Sequence, residues 1–196
     1  KLSGVYRTCR TAAAALSGKK ISLVDGRNVS AGSGLLAARA SEMIAAGKSH
    51  DEVVSALESW VPKTNLFVDV QTMKYAVRSG RVSRVKGLAA RILGLKPIIG
   101  VSAEGRLEAA GKSFSRSGNL SGIVRTIEAA VRKRPLWGYG LVHVRNPERA
   151  SLYAEKLTAS LGRPPVFTVD ADPAIGVHAG LGAVGIRDLG EALAAD

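Results

Sequence analysis

The chain has 196 residues, of which 46% are hydrophobic but only 5% aromatic, and its formal net charge is +12. This composition predicts a globular chain with an aliphatic core, because an intrinsically disordered chain would contain less Leu, Ile and Val. It also excludes a membrane-spanning helix, since the longest apolar runs are interrupted by Gly and fall far short of roughly 20 residues.

The first 62 residues predict a helix, a strand, a Gly-rich loop and two further helices. Ser3 is suited to cap the first helix and Gly18 to end it, while the apolar run 21–25 predicts a buried strand. Ser49 with Glu52 three residues later forms a capping-box pattern at the start of the last helix. We expect these elements to make up part of an N-terminal α/β lobe.

A second α/β lobe is predicted from residue 63 to residue 196. Asn146 followed by Pro147 predicts the cap and first residue of a helix, and Glu104-Gly105 predicts a turn between two strands. The predicted elements, in order, are a strand at 66–70, helices at 72–80 and 85–93, strands at 96–101 and 106–114, a helix at 119–133, a strand at 141–144, a helix from 147, and strands at 165–170 and 175–180 before an Ala-rich tail.

Cysteine and histidine are too few and too scattered to form a metal site. Cys9 is the only cysteine, which excludes a disulfide framework, and we expect it to be buried in the first helix. His50, His143 and His178 show no metal-ligand spacing. We therefore predict neither a metal nor a cofactor, and we expect a cytoplasmic protein because no signal peptide opens the chain.

Basic residues concentrate in two stretches. Residues 78–96 contain six basic residues and no acid, and residues 112–134 contain six basic residues against Glu128 alone. Such stretches are typical of a solvated face, or of a docking surface for an acidic partner or an anionic membrane.

Five sequence strings, in this order along nearly the whole chain, resemble the DegV family of bacterial fatty-acid-binding proteins. They are KLSGVY (1–6), ISLVDGRNVSAGSGLL (21–36), TMKYAVRSGRVSRVKGLAARILGLKPII (72–99) with its internal RSGRVSR (78–84), and IGVHAGLGAVGI (175–186). The chain departs from the family at Val5, Ser79 and Leu181, where Thr, Gly and Pro are usual. Family members also carry residues before KLSG, including a Ser/Thr-rich loop, so the resemblance implies that the N-terminal lobe is incomplete here.

The resemblance implies a non-enzymatic carrier of one long-chain fatty acid, bound between two α/β lobes and presented to a fatty-acid kinase. Ser3, with Gly4 beside it at a helix N-terminus, Arg81 and His178 are the residues it implies for the carboxylate. The chemistry agrees, because a buried carboxylate needs clustered donors. Asn28 and Ser30, in the loop after the predicted strand, are further candidates for the pocket.

Other interpretations of the same residues stay open. Ser3 is also suited to cap a helix, Arg81 to lie in a solvated turn, and His178 to be a structural histidine. The charge also suits a nucleic-acid-binding protein, but stacking aromatics are few and no recognised motif is present. A hydrolase using Ser3 or Ser83 with His178 lacks a GxSxG elbow. Gly180, Gly182 and Gly185 match a dinucleotide fingerprint in spacing only, because no βαβ unit follows them.

Overall fold

Six strands form one mixed sheet in the computed structural model, which describes residues 4–80, 96–101 and 107–190. The strands are β1 (Thr64–Asp69), β2 (Lys96–Val101), β3 (Leu107–Ser113), β4 (Leu136–His143), β5 (Phe167–Asp170) and β6 (Val184–Gly190). Their order across the sheet is β3-β2-β1-β6-β4-β5, and only β4 and β5 pair in parallel.

Seven α-helices lie in the described ranges. They are α1 (Val5–Ala14), α2 (Ala31–Ala45), α3 (His50–Trp60), α4 (Lys74–Arg78), α5 (Arg116–Val131), α6 (Pro147–Leu161) and α7 (Pro173–Ala179). A single 3-10 turn (Val61–Lys63) joins α3 to β1. The fold is therefore α/β, as predicted.

The helix starts that the sequence marks most clearly are confirmed. Ser49 accepts a hydrogen bond from the Glu52 amide, and the Glu52 carboxylate accepts one from the Ser49 amide at 2.8 Å. The side chain of Asn146 accepts from the Arg149 amide, and Pro147 occupies the first turn of α6. Both caps use local partners, which is why sequence alone identifies them.

Helices α5 and α6 cover one face of the sheet. Alternate residues of β4 point to this face, and Tyr139 and Leu141 are fully buried there. The resulting core is mostly aliphatic, with three aromatic residues: Phe67, Ile98, Leu120, Ile123, Val124, Ile127, Leu136, Tyr139, Leu141, Ala150, Tyr153, Leu157, Val184 and Ile186. Each large side chain buried in this way contributes roughly 1.5–3 kcal/mol.

Helix α2 packs on the opposite face, across β4 and β6. Leu35 and Leu36 of this helix meet Trp60 of α3 in a second core cluster. The guanidinium of Arg39 lies 5.4 Å from the centre of the Trp60 ring and 5.5 Å from that of Trp137. These cation–π contacts hold the middle of α2 against α3 and β4.

The strand predicted at 21–25 is wrong. Residues 20–29 form no helix or strand, and Ile21 is exposed. An apolar run becomes a strand only when a neighbouring strand supplies its hydrogen bonds, and no described strand pairs with this segment.

The strand predicted at 175–180 is also wrong, since these residues lie in and just after α7. The Asp172 side chain accepts from the Ala174 amide and Pro173 occupies the first turn, so a helix begins just before the apolar run that predicted a strand. The strand instead follows as β6, which lies between β1 and β4 in the sheet. The prediction of an Ala-rich tail missed this strand.

Several other predictions concern residues that the structure places differently or that lie outside the described ranges. Cys9 lies in α1 but is exposed, because α1 buries none of its residues. Ser3, Arg81, the helix at 85–93 and the turn at Glu104-Gly105 lie outside the described residues. The division into lobes at residue 62 stays a prediction. Among the described helices, none is long and apolar enough to cross a bilayer.

Candidate ligand-binding site

A cavity of about 760 Å³ lies on the sheet face opposite α5 and α6. Its size falls within the range of small-molecule sites, roughly 300–1,000 Å³. Most of its lining residues are aliphatic or small: Gly4, Arg7, Val29, Ser30, Ala31, Leu66, Val68, Val70, Ile99, Leu107, Val142, Val144, Ala171, Ala174, Ile175, His178, Ala179, Ala183 and Gly185.

Strand alternation explains the apolar wall. Leu66 and Val68 on β1, with Val70 just after it, are spaced by two residues, so all three side chains point to the cavity face. Val142 on β4 and Gly185 on β6 pair in register and line the same wall. Among the described residues that line the cavity, those on the strands are all apolar or glycine, so they offer no side-chain hydrogen bond to an ordinary polar metabolite.

Helix α7 closes another side of the cavity with one face. Ala174, Ile175, His178 and Ala179 follow helical spacing and all line it. The small alanines keep the space open, while His178 places an imidazole on an otherwise apolar wall. The geometry therefore separates a long aliphatic surface from a few polar groups.

His178 is half-buried, and its Nδ1 is buried with no hydrogen-bond partner among the described residues. A buried polar atom without a partner is costly and uncommon in folded proteins. No described carboxylate accepts from Nδ1, whereas the base of a serine hydrolase is oriented by one. The ring is therefore suited to meet a polar group that enters the cavity.

The N-terminus of α1 adds the positive end of a helix dipole and a cation. Gly4 is the N-cap residue of α1, and Arg7 follows one turn later on the same side of the helix. Both residues line the cavity, and both are exposed, as expected at the cavity mouth. No described residue pairs with the Arg7 guanidinium. The sequence interpretation missed Arg7, although the three-residue spacing from Gly4 places both on one helix face.

Ser30 and Asn28 differ in their relation to the cavity. Ser30 is the N-cap residue of α2, makes no capping hydrogen bond with its side chain, and lines the cavity with a backbone φ of 56°. Asn28 does not line it, and its Nδ2 instead donates to Thr64 Oγ1 at 3.3 Å. The described residues thus place Gly4, Ser30 and His178 around one cavity, which Asn28 does not line.

Metal chemistry has no support in the described residues, which contain no cluster of His, Cys, Asp and Glu able to hold an ion.

Comparison with known proteins gives one consistent result. A family model described as an uncharacterised protein of the DegV family matches residues 1–188. A DegV domain-containing protein from Mycobacterium bovis is 30% identical over 186 residues, which cover 94% of this chain and 65% of the relative. The chain spans about two thirds (65–66%) of the length of the first curated relatives that it matches.

Solved structures share the fold. A DegV family protein from Eubacterium eligens, loaded with heptadecanoic acid, superposes with a TM-score of 0.83 at 24% identity, covering 96% of this chain and 69% of that one. The Fatty Acid Kinase (Fak) B3 protein of Streptococcus pneumoniae, loaded with linoleic acid, superposes with a TM-score of 0.82 at 19% identity, covering 96% and 68%.

Proposed function

The chain belongs to the DegV family, and from that premise we propose that it binds one long-chain fatty acid in the cavity described above, as a carrier and not as an enzyme. The observation that carries this proposal is the lining: an aliphatic wall from five of the six strands with only a few polar groups. The solved relatives from Eubacterium eligens and Streptococcus pneumoniae are described with fatty acids bound, which supports the same ligand class.

The acyl tail supplies the affinity. Each methylene that leaves water for the cavity contributes about 0.8 kcal/mol, from which the costs of immobilising the ligand must be deducted. Leu66, Val68, Val70, Ile99 and Val142 offer the aliphatic contacts that such a tail needs. A short or strongly polar molecule gains little from this wall.

The carboxylate requires donors, because a buried charge without partners is far more costly than a lost hydrogen bond. The described groups suited to this task are the imidazole of His178, the Arg7 guanidinium, the Ser30 hydroxyl and the positive end of the α1 dipole beside Gly4. Ser3 and Arg81 join them in the proposal on the resemblance alone.

Presentation of the bound acid to a fatty-acid kinase is the finer part of the proposal. It is supported by the likeness to the Fak B3 protein and by the basic stretches 78–96 and 112–134, which suit an acidic partner or an anionic membrane surface. No cofactor is required for such a role, and a cytoplasmic location would suit it.

The test of the head-group site compares vaccenic acid with its methyl ester by calorimetry. His178→Gln should weaken binding of the acid about tenfold or more, as expected for a hydrogen bond to a charged group. Binding of the ester should change little. His50→Gln is the matched control, since His50 is exposed on α3 and contacts Ser22 away from the cavity lining. Equal affinity of the unmodified chain for acid and ester would contradict a charge-reading site.

A further inference from the structure

Asp69 is a fully buried carboxylate at the end of β1, on the face covered by α5 and α6. Its Oδ2 accepts from Arg149 Nε at 3.0 Å and Nη2 at 2.8 Å, and from the Tyr153 hydroxyl at 3.1 Å. Its Oδ1 accepts from Asn119 Nδ2 at 2.9 Å. Burial, together with the neighbouring Asp69 charge, raises the pKa of Tyr153, so this hydroxyl keeps its proton and donates.

Arg116 extends this network to the segment that follows α7. Its Nη2 lies 3.2 Å from Asp69 Oδ2 and donates to the Gly182 carbonyl at 3.1 Å. The Asn146 side chain donates to the same carbonyl at 3.1 Å. A buried carboxylate on one face of the sheet is therefore joined through Arg116 to the turn that follows the His178 helix, and Asn146 holds the same carbonyl.

The turn itself leaves little freedom. Gly180 and Gly182 have φ values of 82° and 79°, a conformation that suits glycine, and the Gly182 amide donates to the Val144 carbonyl at 2.8 Å. A Cβ at Gly180 would collide with the Tyr75 ring. Gly182 lies four residues beyond His178, and the Gly180 amide between them donates to the Gly176 carbonyl at 2.8 Å, which ties this turn to the last turn of α7.

We propose that Asp69, Arg116 and Arg149 are positioning residues for His178, holding the end of α7 so that the imidazole stays at the cavity wall. This inference rests on the proposed function, in which His178 meets the ligand carboxylate. The network acts through Gly182 and touches no ligand itself. It links the closed core of the sheet to the polar end of the cavity.

The chain contains a matched control for this network. Asp188 on β6 is equally buried and accepts from Arg134 Nη2 at 3.0 Å, from the Asn65 amide at 2.7 Å and from the Asn65 side chain. The Arg116 and Arg134 side chains are similarly exposed, at 24% and 22%. In the contacts described, the Asp188 network does not reach the turn after α7.

The experiment compares Arg116→Gln with Arg134→Gln, because Asp69 keeps Arg149 in the first variant and the fold survives. Arg116→Gln should weaken vaccenic acid binding about 2- to 30-fold, leave its methyl ester unchanged, and shift the NMR signals of the His178 ring in the unliganded chain. Arg134→Gln should lower the melting temperature comparably without either effect. Arg116→Lys, which keeps a donor, should restore part of the acid affinity.

Two outcomes separate this inference from the proposed function. If the unmodified chain prefers acid over ester and Arg116→Gln leaves both that preference and the His178 signals unchanged, the inference is overturned while the proposed function stands. If the unmodified chain binds both ligands equally, the proposed head-group site fails, and the His178 signals alone then decide the inference: unchanged signals in Arg116→Gln overturn it.

Discussion

The two faces of the six-stranded sheet are built from alternate residues of the same strands, yet the two faces have different structural roles. The face under α5 and α6 is closely packed, with Leu141, Val184 and Ile186 fully buried. The other face is closed by α2 and α3 near Trp60 but encloses a cavity of about 760 Å³ beside α7. Alternation thus lets one sheet stabilise the fold on one side and leave apolar volume unfilled on the other.

The largest expected effect is a difference in stability between two leucine variants, one on each face of the sheet. Leu141 on β4 is fully buried under the helices, and Leu66 on β1 is 6% exposed at the cavity wall. Leu141→Ala opens a new cavity in a closed core and should lower the free energy of unfolding by about 3–5 kcal/mol. Leu66→Ala only enlarges an existing space and should cost about 2 kcal/mol. Urea denaturation measures both.

For fatty-acid affinity we expect the opposite order of effects in the two leucine variants. Leu66→Ala removes acyl contacts and should weaken fatty-acid binding, whereas folded Leu141→Ala should bind as the unmodified chain does. Equal losses of stability in the two variants, with equal affinities, would show that the two faces are not distinct.

A smaller effect tests how the cavity face is held together. Arg39→Gln removes a guanidinium from between the Trp60 and Trp137 rings and breaks its 2.6 Å ion pair with Glu42. We expect a loss of about 1–2 kcal/mol and a change in tryptophan fluorescence, since these are the only two tryptophans of the chain. Fatty-acid affinity should stay unchanged because Arg39 does not line the cavity. Unaltered fluorescence and stability would show that these Arg39 contacts contribute nothing to the stability of the fold.

Local signals made most of the fold predictable from sequence. The capping box at Ser49 and the Asn146-Pro147 start use partners within four residues, so the local sequence is enough to predict each helix start. The two wrongly predicted strands, at 21–25 and 175–180, lack such local signals. Apolar content alone does not distinguish strand from helix in a short run, and pairing of β6 with β1 and β4 is a long-range property.

The site was predictable only in part, for a related reason. Family resemblance pointed to Gly4 and His178, and the loop after a predicted strand pointed to Ser30; these three residues line one cavity. Asn28, proposed from the same loop, instead contacts Thr64. Arg7 was missed because an arginine in an exposed helix has no distinctive sequence pattern. Neither the Asp69 network nor its reach to Gly182 has any local signature, since its members come from four separate segments of the chain.

The most direct test of the central claim is to extract the purified chain into organic solvent and identify the released molecules by mass spectrometry. We expect about one long-chain fatty acid per chain. Gly185→Leu should abolish it by filling the cavity, since a Cβ there meets only the Val142 carbonyl at 3.8 Å, while Gly122→Leu on the opposite face should retain it. An empty extract from the unmodified chain, together with failure to take up added vaccenic acid, would contradict the account.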